Sequence, residues 1–370
     1  MNIGIDARLL GEKITGITRY LINVLEYLPL YDTKNNYSLF TYKQTEFDAN
    51  FYKHHIVYNS KLPRQIKEHL WLNFTLPKIL DKESIDIFFT PYILVPLKKT
   101  SKKNVIVIHD VMTKACPQFF TTYYKKYMSV VVPKAIKRAD EIVTVSQSAK
   151  NDIVRYYGVQ PDKITVTQIW TDGKYKPLTL NHVQINQIKK KFDLPEIFIL
   201  FVGALEERKN ITGILKISDI LKSRHIDIKI VLVGNRGFGF DRFEDEIIKR
   251  KDRVLLIDYV LEQDLPLIYN LAKIFLFPSY YEGFGLPPLE AMKCGLPVLA
   301  GKNSSLIEVV SDGGLMFESE DYDSFASSVI ELLQDKKFYE SMKFKALMQS
   351  EKFKPENEIT KLIELFNSMN

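Results

Sequence analysis

The chain has 370 residues, 46% hydrophobic and 12% aromatic, so it can bury a large core, and its length is more typical of two domains than of one. Its two cysteines, Cys116 and Cys294, form no metal-binding spacing and no disulfide framework, which favours a reducing compartment. Met1 leads directly into the strand-like NIGIDA without a signal-peptide pattern, and no apolar run reaches the roughly 18 residues of a membrane span. We therefore expect a cytoplasmic protein that is soluble or at most peripheral to a membrane.

The net charge of +6 is distributed unevenly along the chain. Residues 1–177 carry 26 Lys and Arg against 16 Asp and Glu, whereas residues 178–370 carry 25 against 29. A basic first half is typical of proteins that meet nucleic acid, anionic lipid or a phosphorylated substrate. An ordinary solvated basic surface explains the same excess, and no nucleic-acid reading motif accompanies it, so nucleic acid is the least favoured partner.

The first half of the chain alternates strand-like and helical segments. NIGIDA predicts a strand, and after a loop bounded by Gly11 and Gly16 a set of apolar residues recurs at helical spacing: Ile17, Tyr20, Leu21, Val24, Leu25 and Leu28. Further strand-like runs follow, namely IDIFFT, NVIVIHDV, EIVTVS and KITVTQI. The alternation predicts a doubly wound α/β domain with a buried, mostly parallel sheet.

A polar stretch, Thr171–Pro195, interrupts this rhythm and is the best candidate for a linker. The alternation then resumes with the strand-like runs IFILFVGAL, IKIVLVGN, RVLLIDYV, IFLFPS and LPVLAG. We expect an N-terminal domain over residues 1–177, a second Rossmann-like domain over 178–355, and a terminal helix within 356–370 whose docking site is open. Ligands of such sheets bind at the carboxyl ends of the strands, so a cleft between two facing domains is expected.

The turn YYEGFGL follows the strand IFLFPS and precedes a helix that begins in PPLEAMKC. Pro287 and Pro288 suit a first helical turn, and Gly295 is placed as a C-terminal cap. The helix start would expose the N–H groups of Gly285, Leu286 and Leu289. With the positive end of the helix dipole, these groups would form a seat for an anion such as a diphosphate.

Two glutamates flank this predicted seat. Glu282 lies before it in an aromatic and glycine turn with no helix to cap, so its carboxylate needs another donor, and sugar hydroxyls would serve. Glu290 is expected inside the first turn of the helix, where an ordinary carboxylate favoured by the dipole explains it at least as well as a ligand contact does.

Two further clusters follow buried strands. In FVGALEERKN a strand ends in glycine and is followed by Arg208 and Lys209, which together would neutralise a diphosphate, although adjacent basic residues are also common on surfaces. In VIVIHDV an apolar strand delivers His109 and Asp110 to its carboxyl end, facing the expected crevice. A satisfied core histidine is the alternative for His109.

Taken together, these stretches resemble the family 4 retaining glycosyltransferases of GT-B fold. The likeness extends over most of the chain and includes GIDARLLGEKITGITRY, RADEIVTVSQSAKNDIVRYYGV, VGALEERKN, PSYYEGFGLPPLEAMKCGLPVLA and SSLIEVVSDGG, in the order of the family. One position departs from it, because some members carry arginine directly after the strand glycine, where this chain has Ala204. Arg208 and Lys209 would then have to supply the positive charge.

The resemblance implies a role for each matching position. Glu282 would sit against the donor sugar, Glu290 would bind the nucleotide ribose, and His109 would reach the transferred sugar. The residues implied in catalysis are His109, Glu282, Arg208 and Lys209. Those implied in donor binding are Gly16, Arg208, Lys209, Glu282, Gly283, Phe284, Gly285, Leu286 and Glu290.

The implied reaction moves a hexose from a nucleoside diphosphate sugar to an acceptor hydroxyl with retention at the anomeric carbon. No protein nucleophile stands out, so front-face displacement assisted by the leaving group is favoured. No cofactor or metal is implied, because the acidic run Asp321–Asp323 precedes a helical segment and is explained by helix capping. A sugar-nucleotide epimerase of the same fold and a non-catalytic sugar-nucleotide-binding subunit remain alternatives.

The likeness is greatest to mannosyltransferases that use GDP-mannose, with a lipid-linked saccharide acceptor in surface polysaccharide or lipopolysaccharide assembly. Such an acceptor suggests contact with an anionic membrane surface. The stretch KLPRQIKEHLWLNFTLPKILDK interleaves basic residues with Leu70, Trp71, Phe74 and Leu76 and is a candidate for that contact. An amphipathic core helix explains the same pattern.

Overall fold

The contacts of the chain divide it into two units. The computed structural model describes residues 1–10, 15–42, 46–47, 50–56, 70–96 and 102–369. One unit comprises Met1–Ile169 with Lys354–Asn370, and the other Trp170–Phe353. This division lies slightly earlier in the chain than the expected boundary after Pro177. The reason is packing, because Trp170 and Tyr175 are buried and the Tyr175 ring meets that of Tyr269 edge-on, with centroids 5.9 Å apart.

The first unit is built on an all-parallel sheet of seven strands in the order β3-β2-β1-β4-β5-β6-β7. Its strands are β1 Asn2–Asp6, β2 Asn36–Thr41, β3 Tyr52–Ile56, β4 Ile87–Thr90, β5 Lys103–Val107, β6 Glu141–Thr144 and β7 Ile164–Val166. The predicted doubly wound parallel sheet is thus confirmed for this half. β2 and β3 are additions that the sequence pattern did not indicate.

The helices of the first unit follow the predicted alternation. They are α1 Gly16–Tyr31, α2 Leu76–Lys82, α3 Met112–Ala115, α4 Thr122–Arg138, α5 Gln147–Tyr157 and the C-terminal Pro355–Ser368, with a π-helical turn at Trp71–Thr75. The apolar stripe predicted for α1 is buried at Tyr20, Leu21, Val24, Leu25 and Leu28. The C-terminal helix, whose docking site the sequence left open, belongs to this unit and packs against α1.

The second unit contains a six-stranded parallel sheet in the order β10-β9-β8-β11-β12-β13. Its strands are β8 Phe198–Val202, β9 Lys229–Val233, β10 Val254–Ile257, β11 Ile274–Phe277, β12 Val298–Gly301 and β13 Gly314–Phe317. Its helices are α6 His182–Phe192, α7 Ile211–Ser223, α8 Glu244–Ile248, α9 Leu265–Leu271, α10 Leu286–Lys293, α11 Leu306–Val309, α12 Tyr322–Gln334 and α13 Lys336–Ser350. The second doubly wound sheet expected from the sequence is confirmed.

The prediction of a linker over Thr171–Pro195 is wrong where α6, His182–Phe192, lies inside it. Asn181 and Gln184 form a reciprocal capping box at the start of that helix, which satisfies two otherwise unpaired backbone N–H groups. The expected capping role of Asp321 is confirmed, since its side chain accepts a hydrogen bond from the N–H of Ser324 at the start of α12.

The predicted membrane-facing stretch, residues 61–82, is described by the structure only in part. Residues 61–69 lie outside the described residues. In the rest of the stretch Trp71 and Leu76 are buried in a core cluster, whereas Leu70 and Phe74 are exposed. None of the helices in the described ranges has both the length and the hydropathy needed to cross a bilayer.

Candidate functional site

The order of the second sheet creates a crevice at its centre. β8 and β11 are neighbours, although β9 and β10 lie between them in the chain, and the connections that leave these two strands diverge to opposite sides. In open parallel sheets this reversal of strand order is where ligands bind, just beyond the carboxyl ends of the strands. The segments that follow β8 and β11 contain Arg208, Lys209 and Glu282.

These three residues form a buried ion cluster. The Glu282 Oε1 atom lies 3.0 Å from Lys209 Nζ and 3.1 Å from Arg208 Nη1, and it accepts a 2.8 Å hydrogen bond from Ser279 Oγ. No more than 11% of each charged side chain is exposed. The donor that Glu282 was predicted to need is therefore supplied by the chain itself.

Charge pairing keeps the cluster ionised. Burial alone would raise the pKa of Glu282, but Arg208 and Lys209 outweigh it and lower that pKa to about 2. Burial also lowers the pKa of Lys209, an effect that Glu282 opposes and the neighbouring Arg208 reinforces. The Lys209 ammonium thus depends on its carboxylate for stability, and an anionic ligand entering the crevice would find two cations already held in place.

Gly203 and Asn210 fix the position of the segment that contains Arg208 and Lys209. Gly203, after β8, allows the Lys209 side chain to cross it closely, because a Cβ atom there would lie 3.3 Å from Lys209 Cδ and Cε. Asn210 adopts a left-handed conformation, with φ of 57°, and its side chain caps α7 by accepting from the N–H of Gly213. Its amide also donates to the carbonyls of Pro278 and Ser319, which joins the segment after β8 to the segments after β11 and β13.

The start of α10 offers unpaired backbone donors to the same crevice. In the described part of the chain, the N–H groups of Phe284, Gly285 and Leu286 donate to no acceptor, and Pro287 and Pro288 have no N–H to offer. The prediction that Leu289 is also free is wrong, because its N–H donates to the Gly285 carbonyl at 3.2 Å. The N–H groups of this turn that lack an acceptor are therefore those of Phe284, Gly285 and Leu286, and Phe284 takes the place that the prediction gave to Leu289.

α10 begins and ends as its prolines and Gly295 predict. The helix begins at Leu286, so both prolines lie in its first turn. It ends in a left-handed Gly295, with hydrogen bonds from Gly295 N–H to the Met292 carbonyl and from Leu296 N–H to the Ala291 carbonyl, which is the Schellman arrangement.

Gly285 is required by both its backbone and its surroundings. Its φ is +113°, and a Cβ atom there would lie 2.8 Å from Leu306 Cδ2. We expect Gly285→Ala to destabilise the chain by about 1–3 kcal/mol and to weaken binding of a nucleoside diphosphate, because it strains the turn that presents the free N–H groups. Thermal melts and calorimetric titration measure both effects.

Gly173→Ala is the matched control for that variant, since a Cβ atom at Gly173 would meet nothing within 4 Å. Equal melting temperatures for the two variants would contradict the expectation.

Glu290 lies deeper than predicted. The first turn of α10 holds no acidic residue, so Glu290 belongs to the second turn, and the expectation that it lies in the first is wrong. Only 2% of the residue is exposed, and its Oε2 atom accepts a 2.8 Å hydrogen bond from the hydroxyl of Tyr269. Its implied contact with the nucleotide ribose stays a prediction.

The remaining residues of the turn are fixed by Ser304 and Ser305. The N–H of Glu282 donates to Ser304 Oγ at 2.9 Å, and Ser305 Oγ donates to the carbonyls of Glu282 and Phe284. Gly283, between these two residues, is partly exposed. Nothing in the sequence pattern indicated these serines, whereas Asn210 before a helical run was readable as a cap.

In the first unit, a second ion pair lies at the carboxyl end of β1. Arg8 Nε and Nη2 donate to the two carboxylate oxygens of Asp6 at 2.8 and 2.7 Å, and Nη2 also donates to the Tyr92 hydroxyl at 2.7 Å. The guanidinium carbon lies 4.1 Å from the centroid of the Trp71 ring. Asp6 and Arg8 are almost completely buried, so this fork is part of the core at the switch point between β1 and β4.

The segment held by Arg8 also holds His109. The Pro91 carbonyl, next to Tyr92 in the chain, accepts a 2.8 Å hydrogen bond from His109 Nε2, so the proton of the neutral ring is assigned to Nε2 and Nδ1 is an acceptor. Burial lowers the pKa of His109 to about 4, despite the opposing effect of that hydrogen bond. The ring meets Tyr20 edge-on, with centroids 5.2 Å apart. His109 is therefore neutral at pH 7, as a hydrogen-bond acceptor for a sugar hydroxyl would have to be.

The structure thus brings Arg208, Lys209, Glu282 and the turn Phe284–Leu286 together within the second unit, while His109 and Gly16 belong to the first. Gly16 is the first residue of α1, and a Cβ atom there would meet no described atom within 4 Å. Neighbouring side chains therefore do not explain a glycine at this position. Over the described residues, no group of three or more His, Cys, Asp or Glu is arranged to hold a metal ion.

Comparison with known families divides the chain in the same way. The family described as Glycosyltransferase Family 4 matches residues 14–170. The family described as Glycosyl transferases group 1 matches residues 183–347, which contain the ion cluster and α10.

Individual proteins extend this likeness. The chain is 31% identical over 270 residues to O-antigen chain mannosyltransferase B of Escherichia coli, covering 72% of this chain and 70% of that protein. It is 28% identical over 292 residues to the serotype-specific mannosyltransferase WbdA of the same organism, covering 74% of this chain but 34% of WbdA. Its fold is similar to that of Anabaena Alr3699/HepE in complex with UDP-glucose, with a TM-score of 0.75, 17% identity and complete coverage of both chains.

Proposed function

The chain belongs to the family 4 glycosyltransferases of GT-B fold, and we propose that it transfers mannose from GDP-mannose to a saccharide acceptor, with retention at the anomeric carbon. The choice of mannose is supported by the names of the relatives, an O-antigen chain mannosyltransferase and a serotype-specific mannosyltransferase. The solved neighbour with UDP-glucose supports a nucleoside diphosphate sugar as the class of donor.

The observation that carries the proposal is the pairing of two buried cations with three free backbone N–H groups at one crevice of the second unit. A departing diphosphate gains negative charge as the glycosidic bond breaks. Donors that are already oriented toward that charge stabilise the transition state more than the ground state and therefore accelerate the reaction. We propose that Arg208, Lys209 and the N–H groups of Phe284, Gly285 and Leu286 hold the diphosphate.

The ion cluster also bears on how configuration is retained. Glu282 Oε1 accepts hydrogen bonds from Lys209 and Ser279 and is ion-paired with Arg208, and its carboxylate is held ionised with a pKa of about 2. A carboxylate whose charge is shared in this way is a poor nucleophile, which supports front-face displacement without a covalent sugar intermediate. We propose that Glu282 orients the sugar and the cations, and that His109 accepts a hydrogen bond from a hydroxyl of the transferred sugar.

We propose a lipid-linked saccharide as the acceptor, bound by the first unit, in the assembly of a surface polysaccharide. The relative named for O-antigen chains supports this class of acceptor. We further propose that the chain acts in the cytoplasm, peripherally at the inner face of the cell membrane, and that the reaction requires no metal ion or other cofactor.

The direct test is transfer from a panel of nucleotide sugars to synthetic lipid-linked saccharides, with EDTA present. We expect GDP-mannose to be consumed and the product to keep the α configuration of the donor, as read by the one-bond C1–H1 coupling in NMR. An inverted product would refute the retaining mechanism. An epimerised donor with no transfer would replace the proposal with an epimerase.

The phosphate-binding role predicts the kinetics of two variants. Arg208→Ala and Lys209→Ala should each lower kcat/KM by roughly 10²-fold, about 2.7 kcal/mol, because each removes a donor that strengthens as the diphosphate departs. Lys222→Ala, which removes a cation from an exposed pair with Asp252 in the same unit, is the control and should change kcat/KM little. Near wild-type kinetics for both site variants would exclude the diphosphate role.

A further inference from the structure

Helix α4 of the first unit presents an unusually exposed outer face. It has 17 residues, of which only Val132 and Ala135 are buried. The residues on the opposite side recur at helical spacing and are Tyr123, Tyr127, Val130, Lys134 and Lys137. Tyr123 is 81% exposed, Tyr127 46% and Val130 50%, so two aromatic rings and a branched aliphatic side chain form one stripe in contact with solvent.

The inner side of α4 fixes this face in place. Ala135 belongs to a core cluster with Ile142 and Ile153, and the helix start is capped by the Thr121 side chain, which accepts from the N–H of Tyr124. The exposed stripe is therefore held on a folded helix and is not a fraying terminus.

The charge of the helix has one sign. Five basic residues, Lys125, Lys126, Lys134, Lys137 and Arg138, lie between Thr122 and Arg138, and none of the 17 residues is acidic. Scattered exposed apolar residues need no explanation, but a contiguous aromatic stripe bordered by cations marks a surface for interaction. Tyrosine and lysine together suit the boundary of an anionic bilayer, where a ring enters the headgroup region and an ammonium meets lipid phosphate.

We propose that the outer face of α4, from Tyr123 to Lys137, docks the first unit on an anionic membrane surface. This inference rests on the proposed function, because an acceptor anchored in lipid must be reached from that surface. The partner is the bilayer itself, recognised by the matching of a cationic and aromatic helix face to anionic headgroups. Binding should therefore need anionic lipid and should weaken as salt screens the charges.

Co-sedimentation of the full chain with phosphatidylcholine vesicles, and with vesicles that also contain phosphatidylglycerol, tests the proposal. We expect binding to the anionic vesicles alone. Lys134→Gln with Lys137→Gln should lower the partition coefficient about 30-fold, since each lysine near an anionic surface is worth about 1 kcal/mol. Tyr123→Ser with Tyr127→Ser should lower it as well, without changing the charge.

The control variant removes the same amount of charge from a different part of the chain. Lys336→Gln with Lys337→Gln removes two exposed lysines from the start of α13 in the second unit, and it should leave partitioning close to wild type. Equal losses for the α4 and α13 pairs would show that net charge acts and not this face, and would overturn the proposal. Equal binding to neutral and anionic vesicles would also overturn the proposal. A third contrary result would be that the protein sediments because it self-associates, and that the α4 variants abolish this self-association.

Transfer assays separate this inference from the proposed function. The α4 variants should keep the wild-type rate with a lipid-free acceptor saccharide and lose rate with the same saccharide embedded in anionic vesicles. A chain that binds anionic vesicles through α4 but transfers no sugar in either assay would retain the docking surface and refute the glycosyltransferase proposal.

Discussion

Glu282→Gln should lower the free energy of unfolding at pH 7 by about 3 kcal/mol and lower kcat more than it raises the KM for the donor. The charged form of Glu282 is a counterion of two buried cations, and its removal leaves Lys209 without its paired carboxylate and Arg208 with Glu206 alone. The same figure follows from the fall of the Glu282 pKa to about 2, since each pKa unit corresponds to about 1.4 kcal/mol. In a unit of this size the melting temperature should fall by about 6–12 °C.

A nucleoside diphosphate should rescue part of that loss. Its phosphates bring negative charge to the same two cations, so binding should raise the melting temperature of the Glu282→Gln variant more than that of the wild type. Differential scanning calorimetry with and without GDP measures this. Glu207→Gln is the matched control, because Glu207 lies on the same segment and pairs with Arg242 at an exposed site, where the pair is worth less than about 1 kcal/mol.

The pH dependence of stability follows from the direction in which the pKa of Glu282 is shifted. The folded-state pKa of Glu282 lies below its ordinary value of 4.5, so the stabilisation is complete above about pH 4.5 and is lost as the pH falls toward 2. The difference in stability between wild type and Glu282→Gln should therefore be constant near neutrality and shrink in acid. If the variant had the same melting temperature as the wild type at pH 7 and kept full kcat, both the ion cluster and the role of Glu282 at the sugar would be refuted.

The elements of this site were predictable, whereas their pairing was not. The helix start at Pro287 and Pro288 and the left-handed Gly295 follow from local rules of helix geometry, and both are found. The contact of Glu282 with Arg208 and Lys209 depends on β8 and β11 lying side by side, which is a property of strand order. A pattern read along one chain predicts strands but contains no information on which of them are neighbours.

The missed elements have two different physical origins. The strands β3 and β13 are the outermost described strands of their sheets, whereas β2 lies inside its sheet and its apolar run is interrupted by Ser38. Helix α6, in contrast, was readable, because Asn181 and Gln184 have the spacing of a capping box before Ile185 and Ile188. Its polar composition concealed a helix that a cap signal would have revealed.

Arg8→Met should destabilise the chain by about 3–5 kcal/mol. The substitution keeps much of the side-chain volume, but it leaves the carboxylate of Asp6 completely buried and without its bidentate partner. Thermal melts measure the loss, and Arg155→Met is the control, since Arg155 is exposed and lies over the Tyr156 ring without a buried acid to balance.

A double variant distinguishes loss of charge balance from loss of packing. Replacing a whole buried ion pair by apolar residues of similar size is often neutral, so Asp6→Leu with Arg8→Met should recover most of the stability that Arg8→Met loses. A double variant as unstable as the single one would show that the contact of the guanidinium with Trp71 and Tyr92, and not the pairing of charges, stabilises this part of the core.

The same double variant should still be impaired in the reaction. Without the guanidinium, the hydroxyl of Tyr92 no longer accepts the hydrogen bond from Arg8, and the Pro91 carbonyl that binds His109 Nε2 lies next to Tyr92 in the chain. We expect kcat to fall while the donor KM changes little, and the imidazole signals of His109 to shift in NMR spectra. Tyr92→Phe, which removes one hydroxyl and costs about 1 kcal/mol, should move the same signals. If His109 were unmoved in both variants while kcat fell, Arg8 would act on the reaction by a route other than the orientation of His109.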